Sequence, residues 1–290
     1  MPKTRDFLEL VRIPGVFTAQ ADVLAGFLIA GAAVQKIPAF LLLVMASSSF
    51  YSAGMALNDA FDAPIDARQR PGRPIPSGRI ALNTAFYTGF GLLLLGLLLS
   101  RLAGFSSFVV GVVLAAAIIT YDGGVKQVQW AGPVNMGACR YLNLLLGLSL
   151  APITAGSLLI PLLTGIYIFG VTALSRHETE GNDMRGILVC GMAIAVIPLL
   201  YWLLWLFDVL PVDAGLVLCT VLFLVLSGLL LRLAKQPSPA NTQQTIKWLL
   251  MALVILDGII VSGACSLPWG AFVWAMLIPV VIVSRKFYVT

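Results

Sequence analysis

Apolar residues run through this chain in blocks of about sixteen to twenty-two, the length at which a helix crosses a hydrocarbon core. Ten such blocks lie near 14–34, 38–57, 80–100, 104–121, 133–151, 157–175, 187–207, 214–233, 246–265 and 269–284. Each predicts a transmembrane helix. The tenth is short and carries Pro279. No soluble-domain linker interrupts the series, and Pro237-Ser238-Pro239 marks an ordinary loop.

Composition agrees with this pattern. Of 290 residues, 59% are hydrophobic and 11% charged, and mean hydropathy is +0.97. A soluble domain carries roughly 25% charged residues, so one soluble core cannot hide this much apolar surface. The reading is an all-α polytopic membrane protein, a single transmembrane domain over residues 1–290. No cleavable signal peptide is expected, because the N-terminal stretch is polar and no small-residue cleavage site closes the first block. Cys139, Cys190, Cys219 and Cys265 all fall within apolar blocks and form no CxxC pair. They read as reduced packing residues.

Net charge is +5, and its placement orients the chain. With the N-terminus inside, 15 of the 18 basic residues fall in inside segments. Lys36 and Arg101 lie outside, and Arg140 sits within the fifth block. That asymmetry follows the positive-inside rule and explains the arginines without nucleic acid. It favours the tenth block too, because Arg285 and Lys286 then fall inside. Two acid-bearing loops follow the second and sixth blocks, a spacing that hints at internal duplication.

The loop after the second block carries the clearest chemistry. Asn58-Asp59-Ala60-Phe61-Asp62-Ala63-Pro64-Ile65-Asp66 sets three acids at the end of an apolar span, and charge at membrane depth marks a functional site. Asp59, Asp62 and Asp66 share one helix face if the helix continues. Pro64 would instead bend or end it near Asp62, and Asp66 would then approach from the loop. Clustered carboxylates repel unless a cation sits among them. Mg2+ suits, because it takes oxygen ligands and is completed by water and substrate phosphates. Asn58 offers a neutral oxygen. Arg68, Arg70, Arg73 and Arg79 follow, and guanidinium forks match phosphate oxygens. Arg73, between Gly72 and Pro74, is the first choice. The plainer alternative is a solvated helix end, its acids balanced by arginines that anchor the membrane face.

Asn58-Asp59-x-x-Asp62-x-x-x-Asp66, followed by Arg70-Pro71-Gly72-Arg73-Pro74-Ile75-Pro76-Ser77-Gly78, resembles the first signature of the UbiA-type membrane prenyltransferases. The resemblance extends over most of the chain in span number and loop order. It implies a bundle of nine transmembrane helices, here with a tenth, around a central cavity. Two acid-rich loops would hold Mg2+ and a prenyl diphosphate. Within the family the chain is most similar to the EboC-type branch, through Ala21-Asp22-Val23-Leu24-Ala25-Gly26, Asn135-Met136-Gly137-Ala138-Cys139-Arg140-Tyr141-Leu142-Asn143 and the ending Phe287-Tyr288-Val289-Thr290. That branch implies a bacterial biosynthetic operon. The expected location is then the bacterial inner membrane, with the N-terminus and acid-rich loops cytoplasmic.

The second loop departs from the family. Where its members carry DxxxD, this chain reads Ser175-Arg176-His177-Glu178-Thr179-Glu180-Gly181-Asn182-Asp183. Glu178 and Asn182 then stand at the two aspartate positions, one acid lengthened and the other an amide. Glu180 or Asp183 would compensate, and Glu178 and Asp183 are the expected metal ligands here. His177, the only histidine, reads as solvated. Tyr121-Asp122 with Lys126 resembles the family's tyrosine-and-lysine element. That implies a diphosphate-holding Lys126 and a substrate-facing Tyr121.

Asp22, Asn135, Arg140, Asn143 and Asp257 lie inside the spans. An arginine near mid-helix must face a polar cavity or a partner. Asp22 is either that partner or a residue that orients the acceptor. The resemblance as a whole implies Mg-dependent transfer of a prenyl group from a prenyl diphosphate to an unidentified small acceptor within the lipid bilayer. Asp59, Asp62 and Asp66 hold the metal in this reading, Arg73 and Lys126 neutralise the leaving group, and Asp22, Arg140 and Asn143 meet the acceptor. Two other readings stand beside it. One is a transporter whose path runs along Asp22, Arg140 and Asp257. The other is a non-catalytic member that binds a polyprenyl lipid.

Overall fold

The structure is a computed structural model that describes residues 4–31, 33–176 and 184–284. A short α1 (Thr4–Leu10) precedes α2 (Ile13–Ile29), α3 (Ile37–Phe61), the short α4 (Ala63–Gln69), α5 (Leu82–Ala103), α6 (Phe105–Asp122) and α7 (Ala131–Leu148). Then come α8 (Ala155–Leu159), α9 (Leu162–Ser175), α10 (Met184–Leu206), α11 (Asp213–Lys235), α12 (Pro239–Ala264), α13 (Leu267–Trp274) and α14 (Leu277–Ser284). Each apolar block of the sequence contains a helix. Among the described residues, 8 helical stretches are long and apolar enough to cross a membrane. With the shorter α2 and the more polar α7 they account for the expected bundle.

Two boundaries differ from the apolar pattern, each for a local reason. α12 starts well before its block. Ser238 Oγ accepts from the Asn241 N–H at 3.1 Å, and Pro239 fills the first turn, so a polar stretch is capped into the helix. The tenth block forms one apolar stretch, Leu267–Ser284, built from two helical segments, α13 and α14. Pro279 sits in the first turn of α14, where its missing N–H costs no intrahelical bond.

The bundle is inside-out by soluble standards. Leu94, Leu98, Leu102, Val217, Leu224 and Leu231 all point outward. Lipid, not water, is the solvent that tolerates such a surface. The protein is a multi-pass integral membrane protein. Of the eight long apolar stretches α12 is the most buried, 78% along its most apolar part against 22% for α11.

Small residues let the helices that bear polar groups approach closely. Where α2 crosses α7, a Cβ on Gly26 would lie 2.5 Å from the Leu144 carbonyl oxygen, and one on Gly147 would collide with that of Val23. Close backbone approach of this kind is how helices associate in lipid. It brings Asp22 of α2 against Arg140 and Asn143 of α7. α1 is tied down from the far side. Arg79 Nη1 donates to Asp6 at 2.7 Å and to Glu9 at 2.6 Å. The hydrogen bond to Glu9 leads in raising the Arg79 pKa above its ordinary value.

Candidate active site

The acid motif is built on a broken helix. α3 stops at Phe61, Asp62 serves as the junction, and α4 restarts with Pro64 in its first turn. The three acids therefore do not lie on one continuous helix. Asp66 arrives from α4, a second helix and not a loop, and is 5% exposed.

Arg73 and Lys126 together reach all three acids. Arg73 Nη1 lies 3.2 Å from Asp59 Oδ1 and 2.5 Å from Asp66 Oδ2, bridging both. Lys126 Nζ lies 2.7 Å from Asp62 Oδ1 and donates to Asn58 Oδ1 at 3.1 Å. Asn58 and Asp62 are one helical turn apart, so a single ammonium reaches both. The sequence pattern had grouped Arg79 with the phosphate-binding candidates. It turns instead to Asp6 and Glu9 on α1 and to the Gly72 carbonyl. Arg68 is exposed on α4.

Two residues of the site have no role in the sequence reading, although Asp122 is named there beside Tyr121. Arg12 donates from Nη2 to Asp59 Oδ1 at 3.2 Å. It adopts φ 46°, a left-handed conformation unusual for a residue with a side chain, at the junction of α1 and α2. Its only signal in the sequence was a positive charge near the first block. Asp122 ends α6, 3% exposed, with Oδ1 lacking a hydrogen-bond partner among the described residues and 4.0 Å from Lys126 Nζ. The signal was an acid one turn before Lys126, at the end of an apolar block.

A second polar cluster sits deeper. Arg140 Nη1 donates to Asp22 Oδ2 at 2.9 Å and Nη2 to Thr18 Oγ1 at 2.8 Å. Its guanidinium also stands 5.8 Å from the centre of the Tyr51 ring, within cation–π range. Asn143 Nδ2 donates to Asp22 Oδ2 at 2.7 Å and to the Ala19 carbonyl at 2.8 Å, while its Oδ1 accepts from Ser47 at 2.7 Å. Asp22 is thus the expected partner of Arg140. Asp257 of α12 is fully buried within electrostatic reach of both Asp22 and Arg140. Among the described residues no other group donates to its two oxygens or to Asp22 Oδ1, and the two carboxyl groups lie within hydrogen-bond reach of each other.

One cavity joins the two clusters. It is half-open, with a volume of about 100 Å³, and has Asn58, Tyr121 and Asp122 near the acid motif and Tyr51, Arg140 and Asn143 deeper in. Phe50, Leu114, Ile118 and Met136 give it apolar walls. From Asn58 to Tyr51 is about 10 Å along α3 at the helical rise of 1.5 Å per residue.

The second acid loop, including His177, Glu178, Glu180, Asn182 and Asp183, lies outside the described residues. Its point of departure is defined. Arg176 Nη1 donates to the carbonyls of Val128 at 2.8 Å and Gln129 at 2.9 Å, just past the Lys126 turn.

Among the described residues, no group of three or more acids is gathered so as to hold a metal alone. Mg2+ does not require one, since it is commonly held by one or two carboxylates plus phosphates and water. An all-oxygen set of Asn58, Asp62 and the neighbouring Asp59 and Asp66 fits that chemistry.

Comparison with known proteins fits this geometry. The UbiA prenyltransferase family matches over residues 22–241. The chain belongs to the UbiA prenyltransferase family. Among curated UbiA relatives, the digeranylgeranylglyceryl phosphate synthase of Saccharolobus solfataricus is 28% identical over 182 residues, which is 63% of this chain and 64% of the relative. That of Sulfurisphaera tokodaii is 30% identical over 188 residues, 64% of this chain and 66% of the relative. The chain thus spans just under two thirds of the length of these relatives. A UbiA homologue from Archaeoglobus fulgidus, bound to GPP and Mg2+, superposes with a TM-score of 0.71 at 14% identity, covering 93% of this chain and 99% of that one. A structure from work on digeranylgeranylglyceryl phosphate synthase in membranes gives 0.70 at 22% identity, covering 90% and 98%. At these identities the superpositions speak for the UbiA fold alone. The organisms named are archaeal, so the expected bacterial inner membrane and EboC-type branch gain no support from them.

Proposed function

We propose that this protein transfers a prenyl group from a prenyl diphosphate to an acceptor within the membrane, as one domain over residues 1–290. One observation carries the reading. The Asn58–Asp62–Lys126 cluster stands at one end of a largely apolar cavity of about 100 Å³. A diphosphate needs cations and a carbocation needs dryness, and this arrangement offers both.

Asp59, Asp62 and Asp66 would hold Mg2+, with Glu178 or Asp183 completing the set. When bound, Mg2+ supplies positive charge to the diphosphate oxygens. Lys126 and Arg73 present further cationic donors to the same oxygens, so charge that builds on the leaving group is met by groups already in position. Tyr121 and Asn58 line the mouth beside it. The allylic C–O bond breaks, the diphosphate departs with the electron pair, and an acceptor nucleophile forms the new bond and gives up its proton. Phe50, Leu114 and Ile118 keep water from the cation. In this reading Arg140 and Asn143, at the deep end of the cavity, meet the acceptor, and Asp22 holds both from behind. Cytoplasmic placement of the N-terminus and acid loops is supported by the basic residues that flank them.

The test uses purified protein in nanodiscs with labelled geranyl, farnesyl and geranylgeranyl diphosphates and Mg2+. Diphosphate release and a prenylated product are expected, both lost in Asp62→Ala. No release with any chain length, from protein that still binds prenyl lipid, would leave the non-catalytic reading in its place.

A further inference from the structure

The deep end of the cavity carries one cation, and that cation is already matched. Among the described residues lining the cavity, Arg140 is the only basic one. Its two terminal nitrogens donate to Asp22 and Thr18. Asp257 adds a second carboxyl group within reach of the pair. The formal charge of Asp22, Arg140 and Asp257 together is zero if Asp257 holds a proton and negative if it does not. In neither state is it positive. Arg12 is the next guanidinium towards the mouth, and it is taken up by Asp59.

We infer that the acceptor subsite selects an uncharged, hydroxyl- or carbonyl-bearing acceptor and excludes carboxylates and phosphate esters, with Asp22 as the residue that sets this preference. This rests on the prenyl-transfer reading for what the ligand is, though not for its charge. An anion placed against Arg140 would also face the Asp22 carboxylate across a short distance in a low-dielectric interior, where like-charge contact is costly. A neutral group meets no such penalty. It meets Tyr51, which lines the cavity beside Arg140, and the remaining N–H groups of Arg140. Asn143 adds little to recognition, because both its amide hydrogens and its carbonyl are engaged with Asp22, Ala19 and Ser47. Its task is to hold Asp22 in place. Asp22 is a positioning and selectivity residue, not a catalytic one.

Two matched ligand pairs test this, each differing only in an anionic group. The first is geranylgeranylglycerol against geranylgeranylglyceryl phosphate. The second is 4-hydroxybenzyl alcohol against 4-hydroxybenzoate. Binding is measured by calorimetry on detergent-solubilised protein without prenyl diphosphate, and turnover separately with it. The neutral member of at least one pair is expected to bind roughly tenfold tighter or better, the factor that corresponds to 1.4 kcal/mol. Asp22→Asn, which frees the Arg140 charge, is expected to narrow or invert that ratio. Tighter binding of the anionic members to the unaltered protein overturns the inference, as does binding of no member of either pair. An unchanged ratio in a folded Asp22→Asn protein removes Asp22 from the role. Neutral preference without turnover would reject prenyl transfer and leave the selectivity of the cavity standing.

Discussion

Lys126 Nζ and Asp62 Oδ1 are 2.7 Å apart although the residues lie 64 positions apart in the chain. The contact joins the acid motif at the end of α3 to the turn after α6, and it puts a cation beside the expected diphosphate site. A charge-assisted hydrogen bond contributes roughly 1.5–3 kcal/mol. Lys126→Met is therefore expected to weaken prenyl diphosphate binding by about 10- to 100-fold. Equilibrium binding of a non-hydrolysable prenyl diphosphate analogue measures it. Affinity equal to that of the unaltered protein would remove Lys126 from the diphosphate site.

Arg73 bridges Asp59 and Asp66 at a site where all three side chains are mostly buried. Removing one partner of a buried ion pair leaves uncompensated charge and costs roughly 3–5 kcal/mol. Arg73→Ala is expected to lower the melting temperature in the absence of metal. Mg2+ with a prenyl diphosphate should restore more stability to this variant than to the parent, because those carboxylates then regain a cation. Equal ligand-induced shifts in the two proteins would show that metal and arginine do not share ligands.

Glu178 and Asp183 are expected to complete the metal set from the second acid loop. Glu178→Gln and Asp183→Asn should each raise the Mg2+ concentration needed for half-maximal diphosphate release, with smaller effects than Asp62→Asn. A Mg2+ titration of turnover is the measurement. If neither substitution moves the midpoint, the first motif holds the metal unaided.

Gly147 lies where α7 crosses α2, with no room for a Cβ beside the Val23 carbonyl. Gly147→Ala is expected to destabilise the protein by roughly 1–3 kcal/mol through overpacking. It should also loosen the Asp22–Arg140 pair that the crossing holds. Thermal unfolding in detergent tests the first effect, and the acceptor binding ratio tests the second.

The distribution of basic residues predicts that the loop bearing Arg68 and the turn bearing Val34 face opposite sides of the membrane. Both positions are exposed. Single cysteines at Arg68 and Val34, in a background without native cysteines, should label from opposite sides of sealed vesicles. Labelling from one side would overturn the orientation.

The helices were legible because lipid imposes a simple code. A backbone with no water to bond must be helical, and its length must match the bilayer, so apolar block length carried nearly all the information. The acid motif was legible because Pro64 and three aspartates at a span end admit few readings. The Asp22–Arg140 pair was legible because a buried arginine demands a partner and few acids lay at membrane depth. What stayed hidden depends on distance in sequence. Arg12 reaches Asp59 across 47 positions, and nothing local announces it. Asp257 and Asp22 meet only because α12 packs on α2, a fact of tertiary arrangement. The break between α13 and α14 escaped because Pro279 looks the same in the middle of a long helix and at the start of a short one.

The Arg73 bridge has a further consequence for the order of events. Arg73 stands between Asp59 and Asp66 and offsets their charge. On the prenyl-transfer reading, a cation bound by these carboxylates would compete with that guanidinium for the same oxygens. Arg73 would then turn from the acids towards the anion bound beside them. Binding the ligand and freeing a cation to meet it would be one exchange of partners.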